Sequence, residues 1–141
     1  MADTIKSRPG ANMKLIDALG YKLPVAGVVS ILHRVSGLLM FFLLPFVIWL
    51  FDMSVSSQPS FERFMAAFSR GAWIFPGWFL LLVCLALIWA FLHHLIAGVR
   101  HLWMDATHSV TKQQGRISAM VTMGSSILLT LVLMGKLFGW Y

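Results

Sequence analysis

Three apolar stretches, near residues 28–51, 76–99 and 117–138, dominate the chain and leave it few ways to fold. Each is roughly 22 residues long, enough to cross a ~30 Å hydrocarbon core as a helix. Inside lipid a segment must satisfy its own backbone N–H and C=O groups, so a lone span of this kind is helical. The expected fold is therefore all-α and integral to a membrane, with three transmembrane helices in one domain covering residues 1–141. Pro45 falls inside the first span. It lacks an N–H and crowds the carbonyl four residues back, so a kink is expected there.

The 141 residues are 59% hydrophobic and 11% charged, a balance that excludes an ordinary soluble domain. The net charge of +6 does not indicate nucleic-acid binding, because the basic residues are spread over the connections and form no stripe with aromatics. In a membrane protein such charge sets topology. Lys6, Arg8, Lys14 and Lys22 precede the first span, and Arg100, Lys112 and Arg116 follow the second. Between the first two spans Arg63 and Arg70 are offset by Asp52 and Glu62, and Lys136 stands alone near the end. The N-terminus and the second connection are thus expected in the cytoplasm, and the C-terminus outside. Trp49, Trp78, Trp140 and Tyr141 then form an outer aromatic belt, with Tyr21 and Trp103 at the inner one.

No apolar run precedes residue 25, and Asp3 and Asp17 make residues 1–27 a poor transit peptide. The reading is a retained cytoplasmic segment of a bacterial inner-membrane protein. In it, Leu15, Ile16 and Leu19 hint at a helical turn, and Pro24 is expected just before the first helix. The single cysteine, Cys84, lies in an apolar run and is read as packing. Between the first two spans Phe61, Phe64, Met65 and Phe68 recur at i, i+3, i+4 and i+7. That spacing predicts a short amphipathic helix, either lying in the membrane interface or packed on its neighbours.

Ionisable groups within membrane spans are costly and are candidates for function. Two strings carry them: SILHRVSG at residues 30–37 and HLIAGVRHLWMD at 94–105. His94, Gly98 and His101 share one helix face. Imidazole is an axial ligand of haem iron, and a glycine one turn along leaves room for a flat macrocycle. The alternative for His94 is a hydrogen bond to a neighbouring helix. Arg100 and His101 are placed to meet haem propionates. His93 is turned about 100° away from His94, and His33 lies near the surface beside Arg34. A second axial histidine is therefore expected from another polypeptide.

Ser30 and Arg34 also share a face. A serine hydroxyl can hydrogen-bond a quinone carbonyl, and an arginine can stabilise the charge that develops on reduction. The alternative is an arginine that reaches lipid phosphate at the interface. Asp105 is either a proton relay to a reduced quinone or a solvated acid paired with Arg100 or Lys112. Gly37 stands four residues after His33, a spacing that admits close approach of a helix or a cofactor edge. In the third span Gly135 and Gly139 suggest a packing face, and Ser125, Ser126 and Thr130 hydrogen bonds within the bundle.

Together with Arg8-Pro9 and Asn12, the two strings resemble the cytochrome b membrane anchor of succinate dehydrogenase, the larger of that complex's two small anchors. The resemblance covers both strings, the three-helix topology and the chain length. It implies a bundle packed with the second small anchor subunit around haem b. It implies that His94 ligates the haem iron while the second anchor supplies the other ligand. It also implies that Ser30 and Arg34 belong to the ubiquinone site, that His33 and His101 lie near the propionates, and that Asp105 ends the second motif. One departure is His93, where the family often has an aromatic residue; the seven-residue spacing to His101 favours His94 as ligand. The flavoprotein and iron–sulfur subunits would oxidise succinate, and this chain holds no motif for that chemistry. Two other readings remain at this point: an anchor of quinol:fumarate reductase type, and a purely structural membrane protein with packed histidines.

Overall fold

A computed structural model of the chain describes residues 23–108 and 111–139. The described residues form five helices: α1 (Val25–Phe42), α2 (Leu44–Val55), α3 (Gln58–Arg70), α4 (Gly77–Thr107) and α5 (Lys112–Leu137). Helices α1, α4 and α5 are long and apolar enough to cross a membrane. The expectations for the basic residues before 23, for a turn at Leu15, Ile16 and Leu19, and for Tyr21, Trp140 and Tyr141 lie outside the described residues.

Pro24 caps α1, as its position suggested, and its carbonyl accepts from Gly27 N–H at 2.8 Å. The expected kink at Pro45 is a one-residue interruption at Leu43 that divides α1 from α2. Pro45 sits in the first turn of α2, where a missing N–H leaves no helical bond unmade. Helical bonding brackets the break, with Leu43 N–H on Leu39 O and Val47 N–H on Leu43 O, each at 3.0 Å.

Helix α3 is the amphipathic helix foreseen between the first two spans. Ser57 caps it by accepting from Ser60 N–H at 3.3 Å. Its apolar residues divide between two roles. Ala67 is buried and Phe64 and Phe68 are half-buried as α3 packs on α2 and α4, while Phe61 and Met65 remain exposed. Gly71 ends the helix at φ +94°, and a Cβ there would lie 2.5 Å from Phe75 O. Only glycine meets both demands.

Helix α4 is 31 residues long, about 46 Å at 1.5 Å per residue. It runs two turns beyond the apolar span and carries Arg100, His101 and Asp105 on the same rigid rod. A capping box starts α5: Gln114 N–H donates to Thr111 Oγ1, and Thr111 N–H donates to Gln114 Oε1, each at 3.2 Å. Gly139 lies beyond the end of α5 at φ +69° and is exposed. The pair Gly135 and Gly139 therefore does not make one helical packing face; Gly135 alone is buried.

Helices α1, α4 and α5 pack against one another, with α3 covering α2 and α4 at the far end. Val29, Ala97 and Ala119 meet at the centre, all at 0% exposure. Most of the other buried positions on these three helices are small or polar, among them Ser36, Ala90, His93, Arg100, Thr122, Ser126 and Thr130, with Leu80 the large apolar exception. The large apolar side chains point outward, Phe42 at 73% exposure and Leu102 at 70%. Water would penalise that arrangement, whereas lipid tails accept it and small interior residues let the helices approach.

Candidate functional site

The two sequence strings cross where α1 meets α4, and each histidine sits over the other string's glycine. A Cβ on Gly37 would lie 3.0 Å from His94 Cε1, and one on Gly98 would lie 3.7 Å from His33 Nε2. The His33 and His94 rings stack with centroids 4.2 Å apart and planes 24° from parallel. His101 tilts against His33 at 5.3 Å. The space beside Gly98 is thus filled by His33 and does not stand open for a macrocycle, as one helix taken alone suggested. With their faces in contact, His33 and His94 leave no room for an iron between them.

The His94 side chain is held in one tautomer. Its Nδ1 lies 3.0 Å from the His33 carbonyl and 3.3 Å from Ser36 Oγ. The Ser36 hydroxyl already donates to that carbonyl at 2.8 Å. A carbonyl can only accept, so the proton of neutral His94 resides on Nδ1 and its lone pair on Nε2. Nε2 has no hydrogen-bond partner among the described residues. Ser36, buried on α1, was not singled out from the sequence. Its only signal was its place three residues after His33.

His93 faces the other way. It is fully buried, its Nδ1 lies 3.2 Å from Ser126 Oγ on α5, and its ring stacks on Trp89 at 5.3 Å. Of the three polar residues expected to bond within the bundle, Ser126 alone reaches another helix; Ser125 and Thr130 bond back to carbonyls of α5. A ring enclosed by three helices is closed to a planar cofactor. His94 lies at the bundle surface, half-buried.

Ser30 is half-buried and Arg34 exposed, one turn apart on α1 and adjacent to His33. Neither side chain hydrogen-bonds within the described residues. Asp105 is exposed on the His94 and His101 side of α4. It pairs with neither Arg100 nor Lys112; among the described residues its backbone carbonyl accepts from His108 Nδ1 at 2.6 Å. Arg100 departs from its expected place beside His101. It is turned toward α5 and donates from Nε to Ser118 Oγ at 2.9 Å and from Nη2 to Gly115 O at 3.2 Å.

The crossing gives an asymmetric prediction for the two glycines. Gly37→Val drives a branched side chain into a His94 ring that two hydrogen bonds hold in place, and overpacking of this kind costs about 1–3 kcal/mol. Gly98→Ala meets His33 at ordinary contact distance and gains up to about 1 kcal/mol of helix propensity. Thermal unfolding of the purified assembly should show a lowered midpoint for Gly37→Val and an unchanged or raised one for Gly98→Ala.

Comparison with known proteins gives one consistent result. The sequence model described as succinate dehydrogenase/fumarate reductase transmembrane subunit matches residues 15–133. The succinate dehydrogenase cytochrome b556 subunit of Coxiella burnetii is 32% identical over 104 residues, covering 74% of this chain and 78% of that protein. The cytochrome b556 subunit of Paracoccus denitrificans is 27% identical over 112 residues, covering 79% and 81%. A cytochrome b560 subunit of Reclinomonas americana is 26% identical over 112 residues, covering 79% and 76%.

Proposed function

Because this chain belongs to the succinate dehydrogenase/fumarate reductase transmembrane subunit family, we propose that the α1–α4 crossing is its half of a haem b and ubiquinone site. The chain is a multi-pass inner-membrane cytochrome b anchor of succinate dehydrogenase and does not oxidise succinate itself. It serves electron transfer from succinate to ubiquinone.

The observation that carries the site reading is the fixed tautomer of His94. A ligating imidazole is commonly oriented by a hydrogen bond from its other ring nitrogen. Here Nδ1–H donates to the His33 carbonyl, beside Ser36 Oγ, and leaves the Nε2 lone pair for the iron. Haem b, when bound, supplies a one-electron carrier within the membrane. His94 would hold the haem iron for this chain, and a second small anchor subunit would supply the other ligand. His33, stacked on His94, and His101, tilted against His33, would lie near the propionates, whereas Arg100 is committed to α5.

Ser30 and Arg34 form this chain's part of the quinone pocket. The Ser30 hydroxyl donates to a quinone carbonyl, and the Arg34 guanidinium stabilises negative charge there as the ring is reduced. Asp105 delivers protons from the same end of the bundle, which we read as the cytoplasmic end from the charge of the connections. The iron–sulfur subunit docks at that end and the flavoprotein subunit on it.

Reduced-minus-oxidised visible spectra of membranes holding the assembled complex, taken before and after succinate, test this reading. The expected result is a six-coordinate b-type signal that succinate reduces. An intact succinate-oxidising complex with no haem signal would remove His94 as a ligand and leave a haem-free anchor.

A further inference from the structure

Arg100 has a role that the haem and quinone reading leaves unassigned. It is 8% exposed, and a guanidinium removed from water is costly unless an anion balances its charge. Its two bonds go to neutral acceptors, Ser118 Oγ and Gly115 O. Those use two of its five N–H groups, and Nη1 has no partner among the described residues. Arg100 lines a cavity of about 720 Å³ between the start of α1, the end of α4 and the start of α5. Lys112 and Arg116 line the same cavity, and among the described residues no acidic side chain does. Asp105, the nearest acid along α4, lies about 140° around the helix by its 100° per residue and is exposed.

The rest of the lining is apolar: Leu23, Val25, Ala26 and Met104. Three cations beside a greasy wall, at the end of a membrane bundle, match a molecule with an anionic head and a hydrocarbon tail. A carboxylate from a partner protein would satisfy the cations and leave the apolar wall unused. Basic pockets between transmembrane helices on the cytoplasmic side are known to take phospholipid head groups.

We propose that this cavity is a specific site for one anionic phospholipid, its phosphate held by Arg100, Lys112 and Arg116 and an acyl chain lying along Leu23, Val25 and Met104. The site faces α5 and lies away from the His33–His94 crossing. It joins α1 to α5 across the end of the bundle, where the lipid phosphate supplies a counter-charge that the described residues do not.

The test uses the purified full complex, stripped of loosely held lipid and titrated with phosphatidylglycerol or phosphatidylcholine in detergent micelles. Native mass spectrometry reads bound lipid, and thermal unfolding reads stabilisation. Lys112→Gln/Arg116→Gln changes two exposed side chains and should leave the fold intact; Arg100→Gln is the more severe variant. The expected result is one retained phosphatidylglycerol per wild-type complex, bound at least tenfold more weakly by the double variant, with phosphatidylcholine a poor substitute. Equal phosphatidylglycerol binding by wild type and double variant would overturn the proposal, as would equal binding of the two lipids. Equal stabilisation by millimolar inorganic phosphate would identify a free-anion site instead. Loss of the soluble subunits from the double variant, with lipid retention unchanged, would identify a protein carboxylate as the occupant.

Discussion

His94→Ala should reduce the six-coordinate b-type absorbance of the purified complex to less than a tenth of the wild-type value, while His93→Phe should leave it in place. The two residues are neighbours in sequence, and their surroundings differ in kind. His93 is sealed among Trp89, Ser126 and the α1 backbone at 0% exposure, so an aromatic replacement fills its space. Ser126 keeps its own bond to Met123 O at 3.0 Å, which limits the cost of losing the imidazole. His94 is tied at Nδ1 with Nε2 free among the described residues, and no other histidine can present a lone pair from its position. His33 is stacked on it and has Nε2 buried over Gly98. Loss of haem can also follow from failure to assemble. The control is co-purification of the succinate-oxidising subunits, together with rescue of His94→Gly by added imidazole. Return of a six-coordinate spectrum with imidazole would separate a missing ligand from a collapsed bundle. A normal spectrum from His94→Ala, or its loss in His93→Phe with assembly intact, would reassign the ligand.

The sequence made legible whatever one helix decides by itself. Pro45 interrupts its helix because of its own ring, and Pro24 marks a boundary through backbone chemistry. The three apolar spans follow from the cost of unpaired backbone groups in lipid. Features created by one helix meeting another were harder to see. Gly98 read as open space because the periodicity of α4 cannot reveal which side chain of α1 lies over it. The exchange of His33 for Gly98 and His94 for Gly37 exists only once the helices run antiparallel in one register. Arg100 read as a neighbour of His101 because they are adjacent in the chain. One residue is 100° of helix, enough to send Arg100 to α5 while His101 stays beside His33. The C-terminal end of α4 was misjudged for a related reason. Hydropathy falls at Arg100, yet the helix continues to Thr107, since charged residues at membrane-interface depth can satisfy themselves without unwinding the backbone.

Arg34→Leu should lower succinate:ubiquinone reductase activity by about 10- to 100-fold, with succinate oxidation by a soluble artificial acceptor kept within twofold. On this chain Arg34 is exposed, and a fully solvated charge contributes only about 0–1 kcal/mol to a contact. The larger effect requires partner subunits and a bound quinone to exclude water around it, since a donor aimed at developing charge in a closed site is worth about 10²–10³ in rate. The size of the loss therefore measures how enclosed the pocket becomes on assembly. Arg34→Lys separates the two readings of this residue. If Arg34 only reaches lipid phosphate, lysine does the same as a point charge and activity is unchanged. If Arg34 meets a quinone oxygen, the shorter reach and different donor geometry of an ammonium recover only part of the rate. Ser30→Ala should then raise KM for quinone more than it lowers kcat, because a hydroxyl positions the ring without carrying charge. Equal losses of quinone-linked and artificial-acceptor activity in Arg34→Leu would instead assign Arg34 to holding the complex together.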